Sequence, residues 1–216
     1  LVSNNYSVSS VGNSAITASG PSVTTPYDAA AVAVGFFPYP DGFSFENWGG
    51  LPAVESDLTA ADMAFTYGAN NVCKTQSPSC VLTAAAEAWR QAALTPGGHC
   101  FGMALQAWSI FDLPDVAPGD FQSGATLTFD LTQENARRSI ERAYLTQGQL
   151  PVNTQGLPTT TAYGVTTKGA ENVVNTLKAN LANPAASDHY VIAFFKTDWT
   201  GGHAVTPYAV RQIDAN

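Results

Sequence analysis

The chain is 216 residues long, enough for one sizeable core or for two small lobes wrapped on each other, so it needs neither a metal nor a ladder of disulfides to fold. Only 12% of its residues are charged, while Ala, Thr, Ser, Asn and Gly fill the polar surface, a balance that fits a secreted or cell-surface protein better than a cytosolic one. The formal net charge of −8 argues against nucleic acid as a partner, since tracking phosphates takes a basic stripe, and no run approaches the roughly 18 apolar residues of a membrane span.

Residues 1–45 mix short alternating stretches such as Tyr6 to Val11 with Gly and Pro punctuation, and read as short strands and loops. The start at Leu1, without an initiator Met, reads as a processed mature protein or an excised domain. From Ser56 the pattern turns helical: Ser56 or Asp57 can cap a helix running through Met63 and Phe65 to Gly68. Cys73 and Cys80 bracket a six-residue loop and suit a small disulfide, which fits an oxidising, extracytoplasmic compartment and leaves Cys100 as the odd thiol. Leu82 to Leu94 is Ala-rich and predicts a second helix, stopped at Pro96-Gly97-Gly98.

The segment from Cys100 to Asp112 predicts a buried helix that begins at or beside Cys100, with Phe101, Leu105, Trp108 and Phe111 recurring at helical spacing as its inward face. A Pro- and Gly-containing connection, residues 113–124, can join two lobes, and Ala125 to Leu131 alternates as a strand does. Amphipathic helices are expected over Gln133 to Gln147, with Ile140 and Tyr144 inward, and over Lys168 to Leu181. Tyr190 to Phe195 and His203 to Arg211 then read as the two strands of a hairpin. The expected organisation is an N-terminal strand and loop segment (1–45), a helical lobe (46–120) and a β-rich lobe with two helices (121–216), one domain overall.

A thiol is a nucleophile only as thiolate, and a helix N-terminus offers that anion partial positive charge and backbone N–H groups. Cys100 is expected at such a terminus, with Gly97 and Gly98 before it leaving room for a substrate backbone, and its own N–H can donate to an oxyanion. A base must come from elsewhere in the chain. Of three histidines, His99 adjoins Cys100 and should point away, and His189 precedes an apolar strand as a surface or strand-start residue. His203, after Gly201-Gly202 at the mouth of a strand, is the candidate base.

Gly-His-Cys100-Phe-Gly-Met, followed much later by Gly-Gly-His203-Ala-Val-Thr-Pro-Tyr, resembles the papain-like cysteine peptidase superfamily, and its bacterial, bacteriocin-processing-like branch more than papain proper. The resemblance covers roughly residues 45–216. It implies an α+β, two-lobed fold in which a helical lobe carrying the nucleophile helix packs on an antiparallel β-sheet lobe carrying the histidine. It also implies a cysteine hydrolase without cofactor or metal, acting on a peptide or protein substrate. Papain-like enzymes place a glutamine a few residues before the nucleophile as a second oxyanion donor, and this chain has Leu94 near that place. Asn47, Asn70 and Asn71 are alternative amide donors. The third group, which fixes the imidazole, is expected after His203: Asp214 is the first choice, with Asn216 and Asp198 as others. A histidine strand that ended there without a mate would leave an open sheet edge. Trp48, Asp198 and Trp199 are candidate cleft walls.

The same Cys-His pair also serves amidases and acyltransferases, and a catalytically silent surface or binding module on the same fold is the reading from another class. Reaction with a thiol-directed inhibitor separates enzyme from silent module.

Overall fold

A computed structural model describes residues 6–10, 32–33, 35–49, 58–94, 97–146, 170–182, 190–195 and 201–212. The chain is mixed α/β with small antiparallel sheets. In order, the elements are β1 (Tyr6–Ser10), β2 (Val32–Ala33), the single turn α1 (Pro38–Asp41), α2 (Ala60–Tyr67), α3 (Ala69–Val72), β3 (Cys73–Thr75), β4 (Val81–Leu82), α4 (Ala84–Leu94), α5 (Cys100–Asp112), α6 (Gln133–Leu145), α7 (Ala170–Leu181), β5 (Ile192–Phe195), β6 (Gly202–Val205) and β7 (Pro207–Gln212).

Local chemistry sets most of these bounds. The cap of α2 is Thr59 rather than Ser56 or Asp57, which lie outside the described residues. Thr59 Oγ1 accepts from the Asp62 N–H at 3.3 Å while Asp62 Oδ2 accepts from the Thr59 N–H at 2.8 Å, so two orphan donors are satisfied reciprocally. Gly68 ends the helix at φ 84°, a conformation that suits glycine. Cys73 and Cys80 form the expected disulfide, closing the β3–β4 hairpin. Leu82 is therefore strand, paired with Cys73, and α4 starts two residues later under a Thr83 Oγ1 that accepts from the Ala86 N–H.

The helix α5 has the bounds its pattern predicts, but not the predicted inward face. Trp108 is buried, whereas Phe101 and Leu105 are half-buried and Phe111 is 37% exposed; the buried set is Gly102, Met103, Ala104, Gln106, Ala107, Trp108 and Ile110. The cause is contact on more than one side, with α6 on one flank and β6 on another. At Gly102 a Cβ would collide with the Ile140 carbonyl oxygen and lie 3.0 Å from Tyr144 Cβ, so glycine is what lets α6 approach this closely. Ile140, Ala136, Met103, Ala107 and Trp108 join Phe36 and Trp48 in the main core. The helix α6, grouped by chain order with the following strands, packs on α5, α4 and α2.

The strand expected over Ala125 to Leu131 is a 3-10 turn at Thr128–Asp130. Asp130 Oδ2 accepts from the N–H groups of Thr126 at 3.2 Å and Leu127 at 3.0 Å, and one carboxylate taking consecutive donors bends the chain whatever its apolar alternation.

The expected hairpin forms only in its first half. β5 and β6 pair antiparallel, with Ile192 opposite Val205 and Phe194 opposite His203. At Thr206 and Pro207 the chain leaves β5, because proline has no N–H for a ladder and the Thr206 hydroxyl is bonded to α5. The continuation, β7, sits between β1 and β2 and is antiparallel to both. Its expected open edge is thus filled by the N-terminal segment. Leu177 and Leu181 of α7 pack on Val210 of β7, with Val173, Val174 and Ile192 around them.

Candidate functional site

Cys100 is the first residue of α5 and, with Cys73 and Cys80 joined, the free thiol of the chain. Its residue is half-buried. The His99 carbonyl accepts from the Met103 N–H at 2.9 Å and closes the first turn, whereas no side chain caps the helix. The Cys100 N–H therefore lies where helix geometry supplies no intrahelical acceptor.

Residues 47–49 strap the approach to this turn. The His99 N–H is shared between Asn47 Oδ1 at 2.7 Å and the Trp48 carbonyl at 3.1 Å. Glycines make the strap possible: a Cβ on Gly49 would strike the Gly97 carbonyl group, and one on Gly98 would strike the Asn47 amide. The bond from His99 fixes the orientation of the Asn47 side chain, with Oδ1 as acceptor and Nδ2 as donor.

The histidine strand meets this turn directly. The Ala204 N–H donates to Cys100 Sγ at 3.2 Å, and Thr206 Oγ1 donates to the Ala104 carbonyl at 3.1 Å. Cys100 and Ala104 are one helical turn apart, about 6 Å of rise, and Ala204 and Thr206 are two strand residues apart, about 6.6 Å. The two spacings match, so β6 lies along α5 in one register. His203, immediately before Ala204, is exposed. Cys100 and His203, far apart in sequence, thus stand on elements that touch: the thiol is bonded to the backbone N–H of the residue after His203, and among the described residues no hydrogen bond joins it to the imidazole.

His99 behaves as its adjacency to Cys100 predicts in direction, but it is more than a bystander. It is 2% exposed, its ring is stacked on Trp48 at 4.7 Å between centroids, and Tyr144 of α6 meets it edge-on. Nδ1 lies 3.0 Å from the Trp48 carbonyl. Burial pushes its pKa below the ordinary histidine value, against the opposing pull of the Trp48 carbonyl. The Ala93 carbonyl lies toward the ring but closes no hydrogen bond on Nε2.

Of the other candidates, Asn47 is brought to the site, while Asn70 and Asn71 are committed to local bonds: Asn70 Oδ1 accepts from Gln76 and Asn71 Nδ2 donates to the Tyr67 carbonyl. Trp48 is packing rather than cleft wall, being 8% exposed against His99. Asp214, Asn216, Asp198, Trp199 and His189 lie outside the described residues. Among the described residues no group of three or more His, Cys, Asp or Glu is placed to hold a metal ion. Sequence reasoning missed the Ala204 N–H, which no side-chain pattern reveals, and Thr206, whose signal was a lone hydroxyl between Val205 and Pro207. Compared with protein-family models, curated proteins and solved structures, the chain matches none.

Proposed function

We propose that the chain is an extracytoplasmic cysteine hydrolase of the papain-like kind, cleaving peptide or isopeptide bonds. The single observation that supports this reading is the hydrogen bond from the Ala204 N–H to Cys100 Sγ, which joins the free thiol at the start of α5 to the strand that carries His203. In the proposed reaction His203 accepts the Cys100 proton, and the thiolate, held by the Ala204 N–H and the positive end of α5, attacks the scissile carbonyl. The Cys100 N–H and Asn47 Nδ2 receive the oxyanion. Collapse expels the amine, which takes its proton from His203, and leaves a thioester on Cys100. Water then attacks with His203 again as base, the acid departs and the thiol is restored. Asp214 is the proposed partner that orients the imidazole, with Asn216 and Asp198 as alternatives. The two-lobed arrangement is proposed on the same ground: helices hold Cys100 and strands hold His203. The Cys73–Cys80 disulfide supports an oxidising location.

The test is hydrolysis of a mixed peptide library, read by mass spectrometry, with Cys100→Ala as the comparison. Wild-type protein should cleave a subset of peptides, and the variant should lose at least about 1,000-fold of that rate while keeping its fold. Equal cleavage by the alanine variant removes Cys100 from the reaction.

A further inference from the structure

We propose that His99 is a positioning residue: its side chain, clasped by Trp48, holds the first turn of α5 so that Cys100 Sγ lies under the Ala204 N–H. The chemistry of the N-cap is the first ground. Helices favour Ser, Thr, Asp or Asn at that position because a short oxygen-bearing side chain satisfies an orphan N–H of the first turn. Here the N-cap is a histidine with no capping bond, and its side chain is turned inward instead. The side chain that would ordinarily cap the helix anchors its start to Trp48 and Tyr144.

The second ground is the number of contacts fixing this one residue. Its N–H has two acceptors, Asn47 Oδ1 and the Trp48 carbonyl, and its Nδ1 reaches that same carbonyl at 3.0 Å. A carbonyl can only accept, so the uncharged ring carries its proton on Nδ1. Trp48 covers one face of the ring and the edge of Tyr144 closes another side, which ties the strap, α5 and α6 together at the residue before the thiol. Burial keeps the ring in the uncharged form that this arrangement uses. Helix geometry carries the fixed His99 backbone directly into the position of Cys100, which acts on the thiol without His99 touching substrate.

The catalytic meaning of this role rests on the reading of Cys100 as nucleophile, but its geometry is tested without any activity. The Ala204 amide reports its bond to sulfur through its proton chemical shift and its hydrogen-exchange rate, and Cys100→Ala defines the signal of the broken bond. His99→Phe keeps an aromatic ring against Trp48 and removes the donor. The proposal expects the Ala204 amide of folded His99→Phe to move toward its position in Cys100→Ala, and alkylation of Cys100 by iodoacetamide to slow by roughly 10- to 100-fold. His99→Asn, which restores an N–H aimed at the Trp48 carbonyl, should recover part of both. Asn47→Ala, at the half-buried rim of the strap, provides the same readout should His99→Phe not fold, with a smaller shift in the same direction. A variant that lowers the melting temperature while the Ala204 amide and the alkylation rate stay at wild-type values shows His99 to be packing alone and overturns the proposal. A shifted amide in a protein that hydrolyses nothing keeps the positioning role and rejects the hydrolase.

Discussion

His99 and Asp62 are both almost fully buried polar residues, 2% exposed each, and they predict how the protein responds to acid. For His99 the folded value is depressed below its ordinary 6.5, so as pH falls the unfolded chain takes up the proton first. Stability is therefore complete above about pH 6.5 and declines below it until the folded imidazole also protonates, by at most about 1.4 kcal/mol per pH unit for one group. Urea unfolding followed from pH 8 to pH 5 should show this fall, and His99→Phe should flatten it; an unchanged slope in the variant assigns the effect elsewhere. Asp62 acts at lower pH. Burial alone raises its pKa, but the Thr59 N–H and hydroxyl and the Arg138 guanidinium outweigh it and hold the carboxyl below 3.8. Its stabilisation is present above about pH 3.8 and is lost as pH falls through the folded value. Arg138 and Arg142 both reach Oδ1, at 3.1 and 3.3 Å, yet are 54% and 33% exposed, so they return to water when the carboxylate is removed. Asp62→Ala should consequently cost about 2–3 kcal/mol in chemical denaturation, the value of a helix cap plus charge-assisted bonds rather than of a fully buried ion pair.

Among the elements, α5 carries the site and is held on two sides by different means. Against α6 the contact is steric: Gly102→Ala places a methyl group on the Ile140 carbonyl, and the helices must separate at a cost of about 1–3 kcal/mol or more. A melting temperature within a degree of wild type would show that α6 yields easily. Against β6 the contact is polar: Thr206→Val removes the hydroxyl donor to Ala104 and should cost about 1 kcal/mol while loosening the Ala204 bond one helical turn away. What the amino-acid pattern reveals about these elements follows from where their determinants lie. The bounds of α5 are local, punctuated by Gly97-Gly98 before and Pro114 after, and were legible. The turn at 128–130 was not, because Asp130 caps through a side chain that alternation does not weigh. The mates of β7 were not legible either, since β1 and β2 are short, lie at the other end of the chain, and their pairing leaves no periodic trace. At the site the side chains proposed for the chemistry, Cys100 and His203, stand out by type and flanking glycines, whereas the Ala204 N–H that bonds the thiol does not.

For the whole molecule, two features bear on where and how it works. The Cys73–Cys80 bridge closes a surface hairpin remote in sequence from Cys100, so protein from an oxidising compartment should show two hydrogens fewer by intact mass and one alkylatable thiol. Finding three free thiols would remove the covalent argument for export. No helix among the described residues is long and apolar enough to cross a membrane. The central claim joins distant parts of the chain, a helix start and a strand, into one reactive pair. It is tested most directly by the rate at which an epoxysuccinyl peptide labels Cys100 in wild-type protein and in His203→Ala, with folding of both checked by circular dichroism. The account predicts labelling of Cys100 alone, slowed by roughly 100-fold or more when His203 is replaced. Equal rates in the two proteins, or a folded wild type whose Cys100 is not labelled, would contradict it.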